Sequence, residues 1–596
     1  MDEHHIHHLI EQVRRRALPR RAFIQRLVAA GLTAPMAAQL LMHAGVARAA
    51  GRPAPYPPTQ RGGGGVLRLL WWQGPTLLNP HFATGAKDIS GCRLFHEPLA
   101  TWDADAELLP VLAAEIPSRE NGGVAADGRS VTWKLKPGVT WHDGQPFTAD
   151  DVVFTWAYAR DPATAAVTQG TYRPIKAVKV DALTVRLEFE QPTPFWADAF
   201  VGNNMVIARH VFERYAGANS RDAPANLAPV GTGPYRFADF RPGDMLAGTL
   251  NPAYHLPNRP HFDRVEMKGG GDAVSAARAV IQTGEYDYAW NTQVEDEVLL
   301  RLERGGRGVA DFTPGGDIEY IMLNHTDPWT EVDGERSSPK SKHPILLEPA
   351  VREALALVVD RQAVQQHIYG RAGVTTPNFL NNPERFNSKN MRWAFDVERA
   401  NALLDAAGWA RGRDGVRAKD GKRLKFLFQT STNAPRQKTQ AVVKQAAQRA
   451  GIDIDLKSVT ASVYFSSDLA NPDTNAKFQA DLQMYTLTRG SPDPMRFLEL
   501  FCSWEMTSRE NKWQGRNIAR WRNDDFDRSW RATESELDPV KRAALFIRCN
   551  DLVVGDRAVI PVVYRPRVSA RATNLRAPAS GWTNELGQIQ DWYRQA

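Results

Sequence analysis

The chain contains little cysteine, and the three cysteines that it has are far apart. Cys92, Cys502 and Cys549 are the only thiols among 596 residues, and none belongs to a CxxC pair or a cluster with histidine. Structural zinc and iron–sulfur sites need cysteine or histidine ligands at short spacings, so the sequence argues against both. One disulfide is compatible with an oxidising compartment, but the sequence does not indicate which two cysteines would pair.

The chain also lacks the short motifs of common catalytic and nucleotide-binding sites. It has no GxGxxG, GxxxxGK[ST], nucleophile elbow, HExxH or haem-attachment motif. Gly269-Gly270-Gly271 precedes a helix predicted from 272 to about 283, and such a turn can bind phosphate. Tight packing of a strand against this helix is the better interpretation of the glycines. The sequence therefore predicts no catalytic residues, no metal ligands and no cofactor.

Charge of one sign is not concentrated in the body of the chain. The formal net charge is +7, and residues 1–49 contribute +4 of it, through seven arginines against three acidic residues. Over the remaining residues both signs are interspersed, which is the pattern of an ordinary solvated surface. No nucleic-acid partner is expected.

No long hydrophobic run is present, but the N-terminus resembles a leader. Arg20 and Arg21 precede a modest apolar stretch at 27–42, and Ala-Arg-Ala ends at position 49. The apolar stretch is short for a membrane span, and small residues at its end are typical of a cleavage site. The sequence predicts a signal peptide at 1–49, of twin-arginine type, with a generic secretory signal as the alternative. No cysteine follows the cleavage site, so a lipoprotein anchor is not expected.

The rest of the chain has the periodicity of an α/β protein. Apolar and polar residues alternate at 131–135 and 183–189, as in strands with one buried face, and the run at 66–72 suits a strand buried on both faces. Thr148 and Asp151 predict a capping box at a helix start. Further helix starts are predicted at Pro349, Asp396 and Asp538.

A resemblance to one protein family rests on several motifs in a fixed order. Residues 131–162, VTWKLKPGVTWHDGQPFTADDVVFTWAYARDP, resemble the signature of the family 5 extracellular solute-binding proteins, the oligopeptide- and dipeptide-binding group of ABC importers. The other matching segments are Leu78-Asn79-Pro80-His81, Gly231-Thr232-Gly233-Pro234-Tyr235, the VREAL segment beginning at Val351 with Asp360-Arg361, and Asp493-Pro494. Together the matches cover nearly all of residues 66–590.

The resemblance implies a fold, a function and a location. The expected fold is α/β, a two-lobed periplasmic-binding-protein fold of type II, with the ligand cleft between the lobes. A linker at 50–65 would lead to lobe I at 66–322, with a subdomain inserted at about 100–225. Lobe II would follow at 323–561, with crossings near Leu323 and Pro561 and a return to lobe I at 562–596. The expected protein is a periplasmic monomer that delivers a peptide or peptide-like solute to ABC permease subunits.

The resemblance also implies three ligand-contacting segments. One is the loop Ala83-Thr84-Gly85, the second combines Trp290-Asn291-Thr292 with Tyr320, and the third is 485–493. The predicted contacts are Thr84, Gly85, Trp290, Asn291, Thr292, Tyr320, Tyr485, Thr488, Gly490 and Asp493. Alternatively, the aromatic residues of the second segment belong to the core, and Thr84 and Asn291 belong to turns. His142 and Asp143 are better interpreted as an exposed hairpin turn than as catalytic groups.

One departure from the family pattern affects the ligand. Peptide-binding members carry an acidic residue, three positions before the Asp-Pro pair, that binds the ligand's α-ammonium, and here that position is Gly490. Either Asp493 or another acid replaces it, or the ligand has no free amine there, and Arg489 would favour an anionic group. The alternatives are a non-peptide solute, such as an opine, a sugar conjugate or a modified cell-wall fragment, and, more remotely, an exported enzyme.

Overall fold

The computed structural model describes residues 9, 12–13, 18, 20–29, 56–83, 85–465, 470–511, 513 and 515–595. A helix, α1 (Arg20–Ala29), contains the arginine pair of the predicted signal peptide. Most of residues 1–49, including the predicted cleavage site, lie outside the described residues. Within the described ranges, none of the helices combines the length and the apolar character needed to span a bilayer.

Strands and helices alternate along most of the chain. The strands are β1 (Val66–Leu70), β2 (Ala100–Trp102), β3 (Leu108–Pro110), β4 (Ser130–Lys134), β5 (Ile175–Asp181), β6 (Thr184–Phe189), β7 (Tyr235–Arg241), β8 (Met245–Leu250), β9 (Arg264–Lys268), β10 (Tyr288–Ala289), β11 (Gly308–Leu323), β12 (Val374–Thr375), β13 (Ala410–Arg411), β14 (Arg417–Lys419), β15 (Lys422–Arg423), β16 (Lys425–Ser431), β17 (Asp453–Val459), β18 (Leu482–Leu487), β19 (Val559–Ala572), β20 (Leu575–Arg576) and β21 (Tyr593–Arg594). The further α-helices are α2 (Ala86–Arg93), α3 (Ala149–Arg160), α4 (Gln169–Tyr172), α5 (Arg209–Phe212), α6 (Ala273–Ile281), α7 (Asp296–Glu303), α8 (Pro349–Leu357), α9 (Arg361–Val364), α10 (Val397–Ala406), α11 (Ala434–Arg449), α12 (Ala461–Tyr464), α13 (Met495–Leu498), α14 (Asp524–Thr533) and α15 (Pro539–Gly555).

One large sheet runs through the whole molecule. Its strand order is β17-β16-β18-β11-β19-β10-β1-β9-β8-β7, with β12 added beside β19. The strands β16, β17 and β18 form one end, which we call lobe II, and β1, β7, β8, β9 and β10 form the other, which we call lobe I. The two lobes are therefore joined through β11 and β19.

β11 and β19 are the longest strands, with 16 and 14 residues. The first part of β11 pairs with the last part of β19, from Gly308 opposite Ala572 to Thr313 opposite Arg567. This part of β19 also pairs with β10 of lobe I. After a register shift between Thr313 and Asp317, the same strands pair beside β18 of lobe II. The strand partners of β11 and β19 thus change near 314–316 and 565–567, before Leu323 along β11 and after Pro561 along β19. β11 continues through Pro314-Gly315-Gly316, although proline and glycine are uncommon inside strands.

A separate small sheet lies inside the lobe I sequence. β4, β6 and β5 form this sheet in that order. Its core combines side chains from between Leu99 and Ala208 with Trp582 from the C-terminal segment. The predicted inserted subdomain at about 100–225 covers this region.

Several predicted helix starts are confirmed by their capping contacts. Thr148 and Asp151 form the predicted capping box at α3. The side chains of Asp396 and Asp538 accept hydrogen bonds from the first backbone N–H groups of α10 and α15. A Cβ atom on Gly269 would lie 2.1 Å from the carbonyl oxygen of Gly243, so this glycine packs closely against the turn between β7 and β8, whereas the sequence predicted packing against the helix.

The three cysteines are free thiols, and all are buried. Burial raises the pKa of each thiol, and the pKa of Cys549 reaches about 12. A thiol with a raised pKa is a poor nucleophile and a poor metal ligand.

Candidate functional site

The loop that follows β18 belongs to lobe II and packs against β11, one of the two strands that join the lobes. Arg489 in this loop is almost completely buried, and its guanidinium lies 4.8 Å from the ring of Trp582. Its Nε donates to the carbonyl oxygen of Ser491 at 2.8 Å, and its Nη2 donates to the carbonyl oxygens of Pro492 and Asn382. Burial, together with the nearby Arg385, lowers the pKa of Arg489 to about 9. Arg489 therefore carries a positive charge in a poorly solvated position.

Arg489 covers the irregular part of β11. A Cβ atom on Gly316 would lie 2.8 Å from the Cβ of Arg489 and 3.3 Å from the Trp582 ring. The carbonyl oxygen of Gly315 accepts hydrogen bonds from Asn382 Nδ2 at 2.8 Å and from the Tyr564 hydroxyl at 3.0 Å. Gly316 thus allows Arg489 of the loop to approach β11 closely, and Gly315 allows the close approach of Gly581.

The same loop touches lobe I. The nearest atom to a Cβ built on Gly490 is Asn203 Nδ2, at 3.7 Å. Asn203 Oδ1 in turn accepts from Asn584 Nδ2 at 2.9 Å. A little further on, Arg496 Nη2 donates to the carbonyl oxygen of Gly170 at 3.1 Å. Lobe II and lobe I are therefore in contact at this loop.

Ion pairs also join the lobes on the side of α7. Lys438 Nζ lies 2.6 Å from Glu295 Oε2, and Arg371 Nε lies 2.7 Å from Asp296 Oδ1. Because these pairs bridge two parts that only β11 and β19 connect covalently, they favour the arrangement in which the lobes are close.

A buried cluster of charges lies beside the joining strands. Glu319 of β11 accepts hydrogen bonds from Arg436, Arg565 and Thr486, and Gln293 of lobe I also donates to it at 3.2 Å. Burial opposes ionisation of this carboxyl, but the two guanidinium groups hold its pKa below the ordinary value. Two arginines against one glutamate leave the cluster with a net positive charge.

A second set of charges links the segments predicted to contact ligand. Burial raises the pKa of Glu585, although the nearby Arg567 and Trp290 act to lower it, and Arg567 Nη1 lies 4.0 Å from Glu585 Oε1. Arg567 Nε lies 3.7 Å from Asp317 Oδ2, and the Thr488 hydroxyl lies 3.4 Å from that oxygen. Residues of both predicted segments, Trp290 and Thr488, are therefore connected through these three charged groups.

Comparison with known proteins agrees with this architecture. The model of the bacterial extracellular solute-binding proteins, family 5, matches residues 107–508, which is more than half of the chain. The chain belongs to this family. Family 5 consists of substrate-binding proteins, and their two-lobed α/β fold is the fold predicted from the sequence.

Curated relatives match the family 5 protein over most of its length. It is 27% identical over 490 residues to Protein XP55 of Streptomyces lividans, covering 81% of this chain and 80% of that protein. It is 23% identical over 530 residues to Oligopeptide-binding protein AppA of Bacillus subtilis, covering 87% and 90%.

Solved structures share the fold at lower sequence identity. Bacillus subtilis AppA in complex with a nonapeptide has a TM-score of 0.71 at 21% identity, covering 90% of this chain and all of that one. NikZ of Campylobacter jejuni in complex with Ni(L-His) has a TM-score of 0.72 at 20% identity, covering 89% and 99%.

The predicted contact residues of lobe I lie in several environments. Trp290 is 6% exposed and stacks on Trp71 at 6.0 Å. The carbonyl oxygen of Asn291 accepts from Trp72 Nε1 at 3.1 Å, and the backbone N–H of Thr292 donates to Val568 at 2.9 Å. Gly85 precedes α2 as its N-cap. Thr84 lies outside the described residues.

The remaining predicted contacts surround β11 and β18. Tyr320 is fully buried and packs edge-on against Tyr485 at 5.2 Å between ring centroids. Asp493 pairs with Arg542 and accepts a hydrogen bond from the Met495 backbone at 3.0 Å.

Other residues of this region were not singled out from the sequence. They are Asn203, Glu319, Asn382, Arg436, Arg565, Trp582 and Glu585. Each of these residues either contacts a partner more than 50 residues away in the chain or lies in a loop. Sequence motifs with a short, fixed spacing therefore could not identify them. The prediction of an exposed turn at His142-Asp143 holds only for Asp143, which is exposed. His142 is half-buried, because its ring binds the backbone of Gly231 and Gly233 at 3.1 and 3.0 Å.

Proposed function

We propose that this family 5 protein is the substrate-binding component of an ABC importer and that its ligand lies between the two lobes. The observation that carries the proposal is the loop 488–493 of lobe II, which meets lobe I beside the joining strands. A ligand that contacts both lobes only when they are close would shift the protein toward the closed state. The permease subunits would then recognise that state.

We also propose the boundaries of the parts that move. Lobe I would end and lobe II begin at 314–316, with the return to lobe I at 565–567. The support is the change of strand partners at these two places. Nine of the ten contacts predicted from the sequence remain the proposed ligand contacts. Asp493 is left out, because Arg542 already pairs with its carboxylate, and Arg489 is added.

The proposed ligand is a peptide or peptide-like solute without a free amine at Gly490. Asp493 cannot readily serve as the amine partner, because Arg542 already neutralises its carboxylate. Arg489 next to Gly490 would attract a carbonyl or carboxylate oxygen instead. The oligopeptide-binding relative supports a peptide scaffold.

A non-peptide solute is the second candidate, and Gly490 is the observation that favours it. Without a carboxylate at this position the site does not require an amino acid terminus. An opine, a sugar conjugate or a modified cell-wall fragment could then bind through an anionic or carbonyl oxygen near the Arg489 guanidinium.

A thermal-shift screen of matched peptides tests the proposal. We expect N-acetylated peptides to raise the melting temperature at least as much as the same peptides with free amines. Gly490→Asp should then tighten the binding of free-amine peptides by about tenfold to a hundredfold, because it restores a charge-assisted hydrogen bond. A Cβ atom on Gly490 would be in ordinary contact with Asn203 Nδ2, at 3.7 Å.

Gly490→Asn is the matched control, since it adds a side chain of the same size without charge. If free-amine peptides alone stabilise the wild-type protein, the argument from Gly490 is wrong. If neither class of peptide stabilises it, the peptide assignment fails and the non-peptide solute replaces it.

We further propose export to the periplasm by a twin-arginine signal. The support is the arginine pair at 20–21 and the extracellular character of the family. N-terminal sequencing of the exported protein should find Ala50 as the first residue.

A further inference from the structure

A small cavity on lobe II is lined by an unusual number of arginines. Its volume is about 120 Å³, and it lies between α8, the segment before α10, and the connection from α15 to β19. Arg361, Arg392, Arg399 and Arg557 line it, together with apolar side chains such as Leu357 and Ile560. None of the loop residues 488–493 lines this cavity, so it is separate from the proposed interlobe site.

The acidic groups around the cavity do not balance these charges. Glu353 is the single carboxylate among the lining residues. It lies 2.7 Å from Arg557 Nη2 and 3.7 Å from Arg399 Nη2. Among the described residues, no carboxylate forms an ion pair with Arg361 or Arg392. The cavity therefore has a net charge of three positive units.

Arg361 is the buried member of the group. It is 4% exposed, its Nε donates to the carbonyl oxygen of Pro561 at 2.7 Å, and its Nη1 donates to the carbonyl oxygen of Val359 at 3.5 Å. Its guanidinium lies 5.5 Å from the Trp393 ring, which also lines the cavity. Burial, reinforced by Arg557, lowers its pKa to about 9. A buried cation without a counterion is costly, and an anion in the cavity would remove that cost.

We propose that this cavity binds a small, doubly charged oxyanion of the phosphate type. Planar guanidinium groups present paired N–H donors that match phosphate oxygens. The volume is below the range of about 300–1,000 Å³ typical of drug-sized ligands, so a compact ion fits better than a peptide. The buried Nε of Arg557, which has no hydrogen-bond partner, is a further donor at the site.

Calorimetric titration of the mature protein with inorganic phosphate, at constant ionic strength in chloride, tests this site. We expect saturable binding that Arg392→Ala weakens about tenfold, since a charge-assisted contact is lost. Arg392 is exposed, and within the described part of the chain its hydrogen bonds go only to the neighbouring carbonyl oxygens of Lys389 and Met391, so the fold should tolerate this change. Arg361→Lys should also weaken phosphate binding, because it keeps the charge but loses the paired donors.

Arg119→Ala, an exposed arginine of the inserted region, is the control for a general loss of charge and should leave phosphate binding unchanged. Absence of saturable binding would overturn the proposal. So would an equal effect of Arg119→Ala and Arg392→Ala, or equally tight binding of acetate. Binding of the transported solute should be the same in Arg392→Ala and wild type, which keeps this test independent of the interlobe site.

Discussion

Asp493 and Arg542 have opposite charges at buried positions of lobe II. Arg542 binds both carboxylate oxygens, and its Nε donates to the carbonyl oxygen of Thr533 at 2.9 Å. The pair fixes the end of the loop that carries Arg489 and Gly490. Its role is therefore structural support of the proposed ligand site.

Arg542→Ala should destabilise the protein by about 3–5 kcal/mol, because it leaves the Asp493 carboxylate buried without a partner. Urea denaturation measures the change. Asp493→Asn combined with Arg542→Met should cost less than Arg542→Ala alone, since no charge then remains unpaired. Arg528→Ala removes an exposed pair with Asp525 and serves as the control. An equal loss in Arg528→Ala and Arg542→Ala would contradict the expected role of burial.

At the scale of elements, the joining strand β11 combines two different tasks. Its regular parts hold the two halves of the sheet, and the Pro314-Gly315-Gly316 segment between them lets the strand change lobes. The absence of a side chain at Gly316 allows Arg489 and Trp582 to pack against the strand. The position of the proposed ligand loop thus depends on a glycine in another element.

Gly316→Ala should cost about 1–3 kcal/mol of stability by overpacking and should weaken solute binding, because Arg489 must move away from the strand. Gly555→Ala is a matched control, since a Cβ there meets no atom within 4 Å. Thermal unfolding and solute titration of both variants provide the measurement. If Gly316→Ala binds the solute as tightly as the wild type, the packing of Arg489 against β11 does not contribute to ligand recognition and the prediction is wrong.

At the scale of the whole molecule, buried histidines make stability depend on pH. His81 and His96 of lobe I are completely buried, and burial lowers their pKa values to about 4 and 3. Burial, with Arg352 nearby, lowers the pKa of His325 in lobe II to about 3. These side chains are neutral in the folded protein, whereas in the unfolded chain they bind protons below about pH 6.5.

Stability should therefore fall as the pH decreases from about 6.5 to about 4, by on the order of 3 kcal/mol for each histidine of this kind. Above pH 6.5 the effect is absent, because both states are neutral. Melting temperature measured against pH tests this, with His96→Gln as the variant in which the slope should become smaller. A slope that is identical in wild type and His96→Gln would contradict the assignment.

Much of the fold followed from local patterns. The capping box at Thr148, the helix starts at Asp396 and Asp538, and the alternating strands β4 and β6 depend on contacts between residues near in sequence. The motifs from Leu78 to Pro494 were sufficient to predict the family. The length of β11 could not be predicted from the sequence, because its glycines interrupt the strand pattern but do not end the strand.

The sequence by itself determined the class of fold, the family and the absence of a carboxylate at position 490. Only the tertiary structure decided which charges meet. The packing of Arg489 on Trp582, the position of Glu319 between Arg436 and Arg565, and the lack of an acid partner for Arg361 among the described residues all depend on contacts between distant segments. Chain spacing does not encode such contacts, since they arise only when both lobes fold around β11 and β19.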